Sequence, residues 1–143
     1  MVGMDIRICS ENDILLLAEM NKRLIEDEKS DNPMDPAQLR GRMKRFLETD
    51  YAAYLFESDG IAIGYALVKT TSSPLYLRQF YIDRPYRRQH FGLQAFRLLL
   101  ETLNTDSIDV EVLVWNTPAL AFWKKMGFEE RSLYMRRETP SGP

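Results

Sequence analysis

The run Phe80-Tyr81-Ile82-Asp83-Arg84-Pro85-Tyr86-Arg87-Arg88-Gln89-His90-Phe91-Gly92-Leu93 constrains this chain more than any other stretch. It reads as the end of a strand, a short turn and the start of a helix. From Phe91 onward, apolar residues recur at helical spacing, at Ala95, Leu99 and Leu103. A helix that begins here aims several unpaired backbone N–H groups at one point. The partial positive charge of the helix end adds to them. Arg84, Arg87 and Arg88 stand just ahead of it. This is chemistry for holding a phosphate or pyrophosphate.

The remaining composition narrows the ligand. The chain has 143 residues, 45% of them apolar, which suits one domain with a normal core. We expect that single domain to span residues 1–143, with 138–143 a frayed tail. The net charge is −2, so there is no global drive toward nucleic acid or a membrane. The arginines are therefore a local feature, suited to a small anion. A single cysteine, Cys9, excludes an internal disulfide, and no Cys/His cluster offers a metal site. Cys9 reads as a small buried residue of an early strand. No apolar run reaches membrane-spanning length and the N-terminus has no signal-peptide pattern, so a cytoplasmic setting is expected.

Along the chain, Ile6 to Cys9 alternates as a half-buried strand does, and Ser10 with Asp13 forms a box-like helix start. The first helix carries Ile14, Leu17, Ala18, Leu24 and Ile25, and gives way to the polar stretch Glu26 to Pro33. Asp35-Pro36 opens a second helix with Leu39, Met43, Phe46 and Leu47 on one face. Tyr51 to Phe56 and Ile61 to Lys69 form a hairpin about Ser58-Asp59-Gly60, and Leu75 to Ile82 is a fourth strand. After the third helix, Ile108 to Trp115 reads as a central strand. Asn116-Thr117-Pro118 caps a fourth helix that Gly127 ends, and Phe128 to Arg137 reads as a last strand. The order β-α-α-β-β-β-α-β-α-β indicates an α/β fold with a mixed sheet and helices on both faces.

This order, with two motifs, resembles the GNAT superfamily of N-acetyltransferases over nearly the whole chain. One motif is the pyrophosphate loop, Arg/Gln-x-x-Gly-x-Gly/Ala in the family and Arg87-Arg88-Gln89-His90-Phe91-Gly92 here. The other runs from Asn116 through Ala121-Phe122-Trp123 to Gly127-Phe128, matching an Asn, an Ala five residues on, an aromatic pair and Gly-Phe. Two departures stand out. His90 replaces the first motif glycine, and Trp123 stands where many members place a tyrosine that acts as general acid.

The resemblance implies a mostly antiparallel sheet of six or so strands with four flanking helices, splayed between strands four and five. It implies acetyl-CoA as co-substrate, with no metal. The pyrophosphate would rest on the backbone of Arg87, Arg88, Gln89, His90, Phe91, Gly92 and Leu93. The pantetheine arm would lie along Phe80, Tyr81 and Ile82. Asn116, Phe122, Trp123 and Lys125 would meet the far side of the cofactor and its thiol end. In the family, the segment between the first two helices often borders the acceptor, which here brings in Glu26, Asp27 and Glu28 and favours a cationic amine. Many relatives dimerise, so a homodimer is compatible with the resemblance.

The reaction is attack of a primary amine on the acetyl carbon, and the amine must first lose a proton. Glu111, in Val110-Glu111-Val112, is the candidate base, expected among buried residues with a raised pKa. Its alternative role is a structural acid. Gln79 on the fourth strand can hold a water. An indole N–H has no usable proton to give, so Trp123 is no general acid; Tyr134 is the weak candidate. Two other readings compete with a transferase of this kind. One is an acetyl-CoA-binding module with little catalysis. The other, an arginine-based nucleic-acid binder, is weak in an acidic chain.

Overall fold

The computed structural model describes residues 3–139. They fall into two compact units divided between Leu113 and Val114.

The first unit is built on a five-stranded sheet. Its elements are β1 (Asp5–Ile8), α1 (Ile14–Glu28), α2 (Pro36–Glu48), β2 (Tyr51–Ser58), β3 (Ile61–Lys69), β4 (Leu75–Ile82), α3 (Phe91–Leu103) and β5 (Ile108–Val110). The strands lie in sequence order, each antiparallel to its neighbour except the parallel pair β4 and β5. Both expected capping boxes form. Ser10 and Asp13 close the turn ahead of α1, and Asp35 and Gln38 close α2, with Pro36 in its first turn. Each satisfies helix-start donors that would otherwise be left bare. Asp59 and Gly60 take left-handed φ values of 53° and 75° at the hairpin tip, as a tight β2–β3 connection requires.

Alternation sorts the strand residues onto two faces. Ala53, Leu55, Tyr65, Leu67 and Tyr81 pack with Leu17 and Met20 of α1 and Met43 of α2. On the opposite face Phe56, Phe80 and Phe96 of α3 meet edge to face, with centroids 5.7 and 6.3 Å apart. Cys9 is half-buried beside the first cluster, and burial together with Asp13 pushes its thiol up to about 12, so it is no nucleophile near neutrality.

Three expectations are corrected. First, α1 continues through Glu28 and ends at a left-handed Lys29, so Glu26, Asp27 and Glu28 are its last turn rather than a loop. Second, β5 stops at Val110 instead of Trp115. Its ladder runs only from Leu75↔Ile108 to Leu77↔Val110, and a strand exists only where an edge pairs with it. Third, no strand forms from Phe128 to Arg137 among the described residues, where Leu133, Tyr134 and Met135 are exposed. The described residues thus hold five strands, within the expected mixed, mostly antiparallel class.

The second unit holds α4 (Thr117–Lys125). Asn116 accepts the Ala119 N–H at 3.3 Å through its side chain, and Pro118 occupies the first turn. Gly127, at φ 97°, closes the helix, with Phe128 N–H returning to the Trp123 carbonyl at 3.1 Å. The 140–143 part of the expected tail lies outside the described residues.

Gly64 fixes how closely β3 and β4 approach. It pairs with Ile82, and a Cβ at this position would sit 2.1 Å from the Tyr81 carbonyl oxygen, a backbone atom that has no freedom to move aside. Gly64→Ala is expected to cost at least about 2 kcal/mol, read as a lowered urea midpoint.

Candidate active site

The strand β4 has β3 along one edge but β5 along the other only as far as Leu77. The register with β3 shifts between Leu67↔Gln79 and Val68↔Leu77, leaving Arg78 as an extra, bulged residue. A bulge bends its strand and increases the local twist. Beyond it, β4 runs on without a second strand partner among the described residues. The Asp83 N–H bonds the Ile63 carbonyl on β3 at 2.7 Å, so alternation turns the Ile82 N–H and carbonyl to the opposite edge. The Ile82 carbonyl is indeed taken there by Arg87 Nε, at 2.7 Å.

The turn after β4 is tied down from several sides. The Asp83 side chain accepts from Arg84 N–H at 3.1 Å, from the Tyr81 hydroxyl at 2.8 Å and from Arg23 at 3.4 Å. Burial and the bond to Asp83 push the Tyr81 phenol up to about 12. Gln89 Nε2 folds back to the Pro85 carbonyl at 3.0 Å. Arg88 and His90 take left-handed φ values of 61° and 65°. His90 directly precedes α3 and gives no side-chain cap, so the first-turn N–H groups of Phe91, Gly92 and Leu93 get no cap from it. Uncapped N–H groups at a helix start are able to accept an anion. His90 holds this left-handed backbone without being a glycine, and histidine is among the residues that best tolerate it.

Asp27 joins the end of α1 to this turn. It accepts from Arg84 Nε at 3.0 Å, from a second Arg84 nitrogen at shorter range, and from Arg87 at 2.5 Å. Its side chain is only 15% exposed. Burial alone would raise the carboxyl, but the two guanidiniums outweigh it and hold Asp27 below its ordinary value. Arg87 also lies 5.3 Å over the Tyr81 ring. The expected roles of two residues are thereby reweighted. Asp27 has two cations already, and Arg87 spends two of its donors inside the protein, while Arg88 stays exposed. Of the neighbouring acids, Glu26 is exposed, whereas burial and then Asp27 raise the Glu28 carboxyl. Adjacent carboxylates on one helical turn are thus driven in opposite directions.

A polar cluster that the sequence reading largely missed lies under the α1 and α2 face. Gln79 is buried and accepts the Tyr65 hydroxyl at 2.8 Å. Tyr65 is fully buried, its phenol raised well above the usual value by burial despite the positive charge of Arg42. Buried Asn21 accepts from Arg42 at 3.0 Å. Glu28 also acts electrostatically on Tyr65. Arg78, projected by the bulge onto the same face, stacks 5.0 Å over Phe46. Polar residues recurring inside apolar faces, Asn21 between Leu17 and Leu24 and Gln79 between Leu77 and Tyr81, are the signal that was available.

Other candidates are placed as follows. Phe80 and Ile82 face the α3 side while Tyr81 faces α1, so what β4 offers along its open edge is backbone. Glu111 is exposed, not buried, because the strand ends one residue before it. Its carboxylate lies against the Tyr76 phenol, which burial and then this charge push up to about 12. In the second unit Trp123 is buried and packs edge to face with Phe122 at 4.8 Å and Phe128 at 5.2 Å. Lys125 is exposed, and Tyr134 is 83% exposed with the Arg136 guanidinium 5.8 Å from its ring. Among the described residues no group of His, Cys, Asp and Glu could hold a metal ion, and no helix is long and apolar enough to cross a membrane.

A family model, the acetyltransferase (GNAT) family, matches residues 17–128. The chain belongs to the GNAT family. Solved structures agree on the fold. A possible acetyltransferase from Clostridium difficile 630 superposes with a TM-score of 0.77 at 16% identity, over 97% of this chain and 99% of that one. Aminoglycoside N-acetyltransferase AAC(6')-Iy, in complex with CoA, gives 0.74 at 18% identity over 99% and 97%. A predicted acetyltransferase with acetyl-CoA from Clostridium acetobutylicum gives 0.69 at 18% identity over 95% and 96%. At such identities the likeness concerns the fold alone. No curated protein matches the sequence.

Two outcomes follow for stability. His90→Gly removes the left-handed penalty and should stabilise the GNAT chain by about 1 kcal/mol, whereas His90→Val should lower the melting temperature. The Asp27 carboxyl is depressed on folding, so its contribution is complete above the unfolded value of 3.8 and fades as pH falls below it. Asp27→Asn should flatten that acid limb in urea midpoints measured against pH.

Proposed function

We propose that this protein transfers the acetyl group of acetyl-CoA to a primary amine by direct attack within a ternary complex. The observation that carries the reading is β4 itself. Among the described residues its edge is without a strand partner from the Arg78 bulge to Ile82 and leads straight into the left-handed turn and the helix start. An extended, amide-bearing arm ending in a pyrophosphate is a ligand of the kind this edge and turn would take. The first-turn N–H groups of α3 and the exposed Arg88 take the pyrophosphate, and Gly92 lets it approach closely. The open edge at Phe80 and Ile82 pairs with the arm. In the second unit Asn116, Phe122, Trp123 and Lys125 are assigned to the cofactor by their place in the motif.

In the step itself the amine nitrogen bonds to the acetyl carbon, the carbon–sulfur bond breaks, and the sulfur leaves with its electron pair. The outward N–H of Ile82 stabilises the negative charge on the carbonyl oxygen, as an oxyanion donor does. Glu111 is the base that takes the ammonium proton, within reach of water and beside Tyr76. Trp123 supplies no proton, and a thiol with a reference pKa near about 8.5 leaves as thiolate without one. Tyr134 is the weaker source of a proton. The acceptor meets the end of α1, where Glu28 and Gln79 offer polar contacts, with Glu26 at the exposed rim. The setting is cytoplasmic and the acceptor a small molecule or peptide rather than nucleic acid.

Thiol release from acetyl-CoA over a panel of primary amines tests the assignment, with acetyl-CoA affinity measured alongside by calorimetry. Amine-dependent release is expected. Tight acetyl-CoA binding with no release across the panel would make the protein a binding module instead. Trp123→Phe should keep turnover within about threefold, while Glu111→Gln should lower kcat by about 100-fold with the acetyl-CoA affinity intact. Asp27→Asn, by loosening the turn, should raise the acetyl-CoA KM several-fold with kcat nearly unchanged.

A further inference from the structure

Two arginines gather under the α1 and α2 face. Arg42 and Arg78 lie over the same ring, their guanidinium carbons 5.5 and 5.0 Å from the Phe46 centroid. Like charges separate unless something holds them. Here Asn21 accepts from Arg42 at 3.0 Å, and Arg78 donates to the Tyr51 hydroxyl at 3.4 Å. Arg42 is half-buried, its Nε is buried without any hydrogen-bond partner, and burial followed by the Arg78 and Arg45 charges disfavours its cationic form. A guanidinium stays charged regardless. Among the described residues neither Arg42 nor Arg78 is ion-paired with a carboxylate. Glu111, across Tyr76, faces the phenol. A half-buried cation that is neither paired nor free to retreat into water lacks the partner that normally accompanies burial.

The place of this charge gives it a use. Arg78 is the bulged residue, next to Gln79, at the point where β4 parts from β5. The acetyl carbon belongs on this stretch of β4 if the proposed function holds, and the present inference rests on that reading. The planar fork of a guanidinium matches a carboxylate bidentately. We propose that Arg42 and Arg78 hold a carboxylate of the acceptor, which makes the substrate an amine that also carries a carboxylate: a free amino acid or a short peptide with an open C-terminus. Phe46 is the ring against which both guanidiniums lie. The acidic last turn of α1, which by itself favours a purely cationic amine, is thereby matched by a cationic wall.

Matched acceptors test the idea: L-leucine against L-leucinamide and isopentylamine, and L-lysine against cadaverine, each by thiol release with saturating acetyl-CoA. The acids are expected to exceed the amides in kcat/KM by about 10- to 100-fold, the value of a charge-assisted bond. The amide has the less basic amine and so more of it is free at neutral pH, which biases the comparison against the expected result. Arg78→Gln should collapse the acid-to-amide ratio toward one, and Arg78→Lys should restore part of it. Equal rates for acid and amide, or a ratio that survives Arg78→Gln, would overturn the proposal. Calorimetric binding of L-leucine and L-lysine in the presence of CoA separates the two levels. Arg78-dependent binding without any release sinks the transferase reading and supports the carboxylate site. Release from amines together with no preference for a carboxylate does the reverse.

Discussion

The structure depends on the unequal edges of β4. One edge is zipped to β3 from Tyr76 to Ile82, the other to β5 over only three residue pairs. Backbone amides left at a sheet edge must be satisfied by something, and most edges are short, charged or covered. Here the exposed edge is continued by a turn that aims further amides at one point. The tight approach at Gly64 holds the strand in place from behind. Bulge, open edge, turn and helix start follow one another along the chain from Arg78 to Phe91.

Much of this was legible in the amino-acid sequence where a local interaction decides the outcome. The Ser10 and Asp35 boxes, the Asp59-Gly60 hairpin tip, the Asn116 cap and the Gly127 stop all follow from side chains acting on backbone within a few residues. So did the helix start after Ile82. What was not legible depends on pairing at a distance. The apolar run after Ile108 looks like a long central strand, yet its ladder ends at Val110 because the bulge takes β4 away. Glu111 then falls beyond the strand and is exposed, where the pattern had placed it in a core. The segment from Phe128 to Arg137 has strand-like composition without a partner edge.

The roles of charged residues were the least legible. Asp27 read as one member of an acidic run, and nothing near it in sequence hints at Arg84 and Arg87, 57 and 60 residues further on. Its neighbour Glu28 has the same chemistry and the opposite electrostatic fate, because burial and the Asp27 charge both raise its carboxyl. Charge type can be read from a sequence. Charge partner, and therefore protonation behaviour, is a property of the fold.

The Asp27 clamp has a consequence for how the elements are joined. The last turn of α1 carries Asp27, paired with Arg84 and Arg87 of the turn after β4, and one residue later Glu28, whose charge bears on Tyr65. A rigid helical turn cannot shift one without the other. The pairs of Asp27 with Arg84 and Arg87 therefore tie the end of α1 to the turn after β4, joining elements 57 residues apart in the chain.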